Sequence, residues 1–367
     1  MSSKIKSADL TIFLAVIGLL SIGVVMVFSS SAVVAYARYQ DSFYFLKKQL
    51  LWALLGLVAM FFTMQLNYRG WRKWSKPFFI FSLILLALVL VPGVGTVING
   101  ARRWISIGPI QFQPSEVCKL AIVLFMADWL AKNPEKIRNF WKGLVPALAI
   151  LGLVFGLIMG EPDLGTSLVI FGTVCVMLFA TGAKWSHLGL LASCAIPLVG
   201  YLIKTEPYRF KRLTAFINPW KDPLDTGFHI IQSLFALGSG GLFGLGLGRS
   251  RQKFFYLPEN HTDFIFAILG EELGFIGAAT VLCLFFLFAW RGYRTAVVAP
   301  DMFGSLLAVG ITSLITLQAL INIGVVTSSI PVTGITLPFI SFGGTSLVFM
   351  LAGVGILLNI SKHVQKR

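Results

Sequence analysis

Charged side chains are scarce in this chain, and acidic ones scarcest. Only 15 aspartates and glutamates stand against 30 lysines and arginines in 367 residues, and together they make up 12% of the sequence. Soluble domains carry roughly 25% charged residues, so a water-soluble globule is excluded. Cysteine is scarce too. The 4 present (Cys118, Cys175, Cys194 and Cys283) lie inside apolar segments without C-x-x-C spacing, and read as small core residues rather than a disulfide framework or metal site. The 4 histidines (His187, His229, His261 and His363) are scattered without ligand spacing. Short alternating strands are missing, which excludes a membrane β-barrel.

What is present is grease: 56% of the residues are hydrophobic, and 32 are phenylalanine. Repeated apolar runs of about 18 residues or more predict an all-α integral membrane protein. Ten transmembrane helices are expected, near residues 10–28, 50–66, 77–92, 114–131, 143–160, 165–181, 187–203, 263–290, 303–324 and 341–360. The first is read as an uncleaved span rather than a signal peptide, because further spans follow it. Alternating the connections gathers Lys4, Lys6, Arg69, Arg72, Lys73, Lys76, Lys132, Lys136, Arg138, Lys142, Lys184, Arg291, Arg294, Lys362, Lys366 and Arg367 on one side. By the positive-inside rule that side is cytoplasmic, and so are both termini. Much of the +15 net charge is thereby explained by topology, without nucleic acid as a partner.

The expected architecture is a single polytopic domain over 1–367, with a large extracellular loop at 204–262 between the seventh and eighth helices. Within it, "GFHIIQSLFALGSGGLFGLGLGRS" is apolar but broken by glycines, and reads as a re-entrant or amphipathic segment. Its glycines fit close backbone packing better than any phosphate loop. The loop is unexpectedly basic for an outer segment, which suits an anionic partner or anionic membrane lipids.

Most of the carboxylates that stand out fall in "FFYLPENHTDFIFAILGEELGF", residues 254–275. Thr262 reads as an N-cap, placing Asp263 in the first helical turn at the outer headgroup level. On a helix, Glu271 and Glu272 lie about 80° and 180° round from Asp263 and about 12–14 Å deeper. They cannot share its chemistry, and are expected to pair with a polar or basic partner. Ala267, Gly270 and Gly274 leave a small-residue groove below Asp263, for helix packing or a lipid chain. In "QPSEVCKLA", Glu116 and Lys119 are three residues apart on one face, so an intramembrane ion pair is sterically easy. Glu161 and Asp163 occupy a turn where carboxylates can contact a divalent cation, though turn chemistry accounts for them more simply.

These residues resemble the SEDS family of cell-wall proteins, which includes RodA, FtsW and SpoVE. The resemblance runs nearly end to end, through "NGARRWISIGPIQFQPSEVCKLA", "EPDLGTS", "PYRFKRLTAFINPWKDP", "RSRQKFFYLPENHTDFIFAILGEELG" and "INIGVVTSSIPVTGITLPFISFGGTSL", and is greatest to the FtsW/SpoVE branch. It implies a peptidoglycan glycosyltransferase that polymerises lipid II outside the bacterial cytoplasmic membrane, in division or sporulation. A class B penicillin-binding protein and other divisome or sporulation proteins are the implied partners. The family's essential aspartate falls on Asp263. Arg102, Glu116 and Lys119 match its central cavity, and Lys253 and Glu259 flank the catalytic motif.

Such a reaction needs one general base and cations for a departing pyrophosphate. Asp263 is the expected base, and Arg102, Arg209, Arg212, Arg249 and Lys253 are the expected clamp. No cofactor is demanded, and a divalent cation (Mg or Mn) is the alternative neutraliser. Glu259, Thr262, Glu271 and Glu272 are expected to support the site. The rival from another class is a lipid II flippase, disfavoured because the chain lacks an obvious internal repeat and its densest motif lies at the rim.

Overall fold

The computed structural model describes residues 7–364, apart from Asn99, Pro109 and Phe255. Lys4, Lys6, Lys366 and Arg367, which entered the topology argument, lie outside the described residues. The chain is mostly helical. Its α-helices run α1 Leu10–Tyr39, α2 Tyr44–Gln65, α3 Trp71–Leu90, α4 Pro114–Lys132, α5 Val145–Gly160, α6 Leu164–Ala180, α7 Trp185–Thr205, α8 Pro207–Ile217, α9 Phe228–Gly240, α10 Ile265–Val297, α11 Met302–Val326 and α12 Gly344–Lys362.

Caps start several of these helices. Asp9 accepts from the Thr11 and Ile12 amides at the head of α1, Asp163 from Thr166 at α6, and Asp301 from Gly304 at α11. Asp9 also receives Arg291 Nε at 2.9 Å, which ties the start of α1 to the last turns of α10. Pro114 occupies the first turn of α4, where its missing N–H removes no bond.

Among the described residues, 7 helical segments are long and apolar enough to cross a membrane: α1, α2, 68–90, 140–160, α10, α11 and α12. α6, at 17 residues, is apolar but shorter. α4 covers the expected span at 114–131 but carries Glu116, Lys119, Asp128 and Lys132, which separates it from the plainly apolar helices. Glu116, Lys119 and Asp128 are buried, so these three charges are sheltered by protein, while Lys132 at the end of the helix is exposed. Around it, α2 and α3 turn Leu51, Leu54, Phe62, Phe81 and Ile84 outward, as lipid-facing helices do.

Two features depart from the expected bundle. The connection before α4 folds into an antiparallel sheet ordered β1 (Gly95–Ile98), β2 (Ala101–Ile107), β3 (Ile110–Phe112). The second departure is a break in α10 at Gly274, where φ is +67°. The glycine-rich stretch after α9 fills the break. The amides of Phe275 and Ile276 donate to Gly241 and Leu242, while those of Leu245 and Gly246 donate to the carbonyls of Glu271 and Glu272. Backbone groups released by the kink are thus satisfied by an inserted loop. A Cβ on Gly244 would lie 2.2 Å from the Glu272 carbonyl oxygen, so only glycine fits there. The expected groove along Ala267 and Gly270 is occupied by α9: Gly240 lies so close that a Cβ there would stand 2.0 Å from the Gly270 carbonyl oxygen.

Candidate functional site

The loop ahead of α10 is held by its backbone. Phe342 N–H donates to the His261 carbonyl at 2.9 Å, Ser341 Oγ to that of Thr262 at 2.6 Å, and Asn322 Nδ2 to that of Asp263 at 2.8 Å. Three successive carbonyls are thereby fixed by α11 and the segment before α12. The expected cap is corrected here. α10 begins at Ile265 after a Phe264 N-cap, and Thr262 Oγ1 donates instead to Glu259 Oε2 at 2.8 Å. Glu259 has a φ of +53°, and its carbonyl accepts from the amides of Thr262 and Phe264. This tight turn delays the helix and leaves Asp263 in the loop.

The fixed backbone presents a free side chain. Among the described residues the Asp263 carboxylate has no hydrogen bond or ion pair, and it faces a cavity of about 340 Å³. Tyr208, Lys211 and Arg212 of α8 line that cavity with His229, Glu259 and Gly334. Arg212 Nη1 donates to the Val332 carbonyl at 3.3 Å. A Cβ on Gly334 would stand 3.6 Å from Asp263 Oδ2 and 3.9 Å from Arg212 Nη1, so this glycine, at φ +75°, marks the gap between acid and cation. Burial raises the Asp263 carboxyl to about 7; Glu259 and Asp163 push the same way, while Arg212 and Arg103 oppose them. A carboxylate poised there can take a proton at neutral pH.

Glu271 and Glu272 of the same motif are fully engaged. Glu272 meets Lys253 Nζ at 3.0 Å, accepts from Ser29 Oγ at 2.6 and 2.8 Å, and receives the Ser250 amide at 3.3 Å. Glu271 accepts from Ser250 Oγ and from the Arg251 amide at 2.9 Å. This buried cluster staples α1, the loop after α9 and α10 together. Lys253, expected in the anion clamp, is placed in it and not in the cavity.

Farther into the bundle, Lys119 Nζ lies 2.7 Å from both Glu116 Oε2 and Gln318 Oε1. Gln318 Nε2 donates to the Thr336 carbonyl at 3.0 Å, two residues past Gly334. Gln318 and Asn322 are one helical turn apart on α11, so the Glu116–Lys119 pair and the Asp263 loop share a scaffold.

Of the remaining expected cations, Arg212 alone lines the cavity. Arg102 points its Nη1 to the Leu90 carbonyl at 3.1 Å, Arg209 is buried with its Nε 3.1 Å from the Tyr208 hydroxyl, and Arg249 is exposed elsewhere on the loop. Lys211, Arg103 and His229 were missed. Arg103 holds the Glu161 and Pro162 carbonyls and belongs to the charge environment of Asp263. Alternation along a strand separates it from Arg102, and the strand itself was not foreseen.

Residues 10–366 match the cell cycle protein family of FtsW, RodA and SpoVE. The chain belongs to this family. It is 53% identical over 363 residues to stage V sporulation protein E of Bacillus subtilis, covering 99% of each chain. It is 44% identical over 362 residues to a probable peptidoglycan glycosyltransferase FtsW from a Geobacter species, again covering 99% of each. Among solved structures, a chain of a peptidoglycan synthase complex that coordinates polymerization and crosslinking matches with a TM-score of 0.80 and 34% identity, over 98% of this chain and 99% of that one. The rod shape determining protein RodA of Thermus thermophilus matches at 0.71 and 32% identity, over 98% of each chain. Identity in the FtsW/RodA/SpoVE family thus falls from the sporulation and division relatives to RodA, in line with the branch expected from the motifs.

Proposed function

We propose that this chain is a peptidoglycan glycosyltransferase that polymerises lipid II at the outer face of the bacterial cytoplasmic membrane. The observation that carries this is the unpartnered Asp263 carboxylate, poised near neutrality beside Arg212 in an open cavity of a member of this family. Asp263 takes the proton of an acceptor sugar hydroxyl as its oxygen attacks the anomeric carbon of the donor. The bond from that carbon to the phosphate oxygen breaks, and lipid pyrophosphate leaves with the electron pair. Arg212 and Lys211 neutralise the departing charge.

The topology that fits is a single domain of ten spans, with both termini inside and 204–262 outside, bringing the cavity to the headgroups that carry the substrate. A class B penicillin-binding protein is the expected partner; the matched synthase complex supports it. The test is purified protein with its partner and labelled lipid II. Polymer that disappears in Asp263→Ala and Asp263→Asn, with folding intact, is the expected result. Full polymerisation by both variants sinks Asp263 as the base, and transbilayer movement of lipid II without polymer favours a flippase.

A further inference from the structure

One polar group in the cavity has no part in the steps above. His229, in the first turn of α9, lines the same cavity as Asp263 and Arg212, and its ring stacks on Phe264 at 5.8 Å between centroids and 20° between planes. Phe264 follows Asp263 directly, so the stack fixes the imidazole relative to the proposed base. The ring's Nδ1 is buried and has no hydrogen-bond partner.

That orphaned nitrogen decides the chemistry of the ring. A proton on Nδ1 would bury an N–H with nothing to receive it, and a second proton would bury a charge as well. The neutral tautomer with its proton on Nε2 avoids both costs. Burial and then Arg212 hold the imidazole below its ordinary value, while Glu259 opposes them, so it stays neutral at pH 7. Among the described residues, the charged groups that line this cavity are Lys211 and Arg212 on α8, Asp225 before α9, and Glu259 and Asp263 ahead of α10, with Arg103 and Asp163 acting on Asp263 from outside the lining. Anionic oxygens therefore have two cations to go to, and a neutral N–H donor adds nothing to their neutralisation. Its natural complement is an uncharged oxygen.

We infer that His229 is a substrate-contacting residue whose Nε2–H donates to an uncharged sugar oxygen, a hydroxyl or an acylamino carbonyl, and seats the sugar against Asp263. The inference rests on the glycosyltransferase reading of this cavity. A site built to pair with a sugar oxygen discriminates against a ligand lacking it, because the donor is then left unpaired. His229 thus sets recognition, while Asp263 carries the proton.

The test uses the full chain with its transpeptidase partner in lipid nanodiscs. His229→Ala is expected to raise KM for lipid II by about tenfold with kcat within about twofold, the size of one lost hydrogen bond. His229→Gln, which keeps a neutral N–H donor, is expected to recover most of that loss. With imidazole 15N labelling, the wild-type His229 signals should show a neutral ring protonated on Nε2, and should move without becoming imidazolium when lipid II is added. An unchanged KM in His229→Ala, a Gln variant as impaired as Ala, or signals unmoved by substrate would overturn the inference while wild-type polymerisation continues. Conversion to imidazolium on binding would overturn it in favour of a pyrophosphate contact. Wild-type protein that makes no polymer under any of these conditions would instead remove the glycosyltransferase reading, and this inference with it.

Discussion

Two acidic places lie within ten residues of one another and obey opposite rules. Asp263 has its backbone tied down and its carboxylate left alone, facing a cavity. Glu271 and Glu272 have their carboxylates saturated by Ser29, Ser250, Lys253 and backbone amides, with no room for a ligand. An unpartnered acid raised towards neutrality is costly to fold and useful for proton transfer. A fully hydrogen-bonded, ion-paired acid is the reverse. The contrast separates reactivity from scaffold inside a single motif.

The sharpest way to break the contrast is to mutate both sides. Asp263→Asn is expected to lower polymerisation by about 10²–10⁴-fold, the range of a lost general base. The same change should raise thermal stability above pH 7. The folded carboxyl holds its proton to about 7 against an ordinary 3.8, so its stability contribution is lost as pH rises through that window. Glu272→Ala should do the opposite. It strands Lys253 in a buried site, at a cost of about 3–5 kcal/mol in stability, read by thermal unfolding in detergent. Activity per folded molecule should fall far less than in the Asp263 variant.

A smaller effect is expected from Glu259→Gln. Glu259 is among the groups that push the Asp263 carboxyl upward, so its neutralisation should shift the acid limb of activity to lower pH. An acid limb displaced upward would contradict the assignment of charges around the cavity.

The smallest effect on activity is expected at Glu161. This residue is wholly buried, neither carboxylate oxygen has a hydrogen-bond partner, and burial with Asp163 beside it raises it to about 9 against the opposing Arg103. Glu161→Gln should leave turnover unchanged. Its melting temperature should gain on the wild type as pH rises from about 4.5 to 9, the window over which a raised carboxyl loses its stabilising proton.

What could be read before the fold was known was local. Apolar runs marked most helices, and the Glu116–Lys119 pair followed from an i,i+3 spacing that any helix would realise. Asp263 stood out as a carboxylate beside a span. What could not be read were partners distant in sequence. Nothing local in Lys253 says that it will meet Ser29, 224 residues away, and leave the anion clamp for a buried staple. The helix start also misled. Thr262 is a good N-cap by type, but its hydroxyl is taken by Glu259 in a tighter local turn. The glycines at 241, 244 and 246 signalled close packing, but their insertion into a broken helix is a tertiary event that only the Gly274 kink reveals.

The claim that Asp263 is the base is tested most directly by the pH dependence of kcat/KM for lipid II. A single acid limb with an apparent pKa near 7 is predicted, because the carboxylate must be unprotonated to accept the hydroxyl proton. A rate that stays flat from pH 8 down to pH 5 would contradict it, since the group responsible would then be an ordinary exposed carboxylate or none at all.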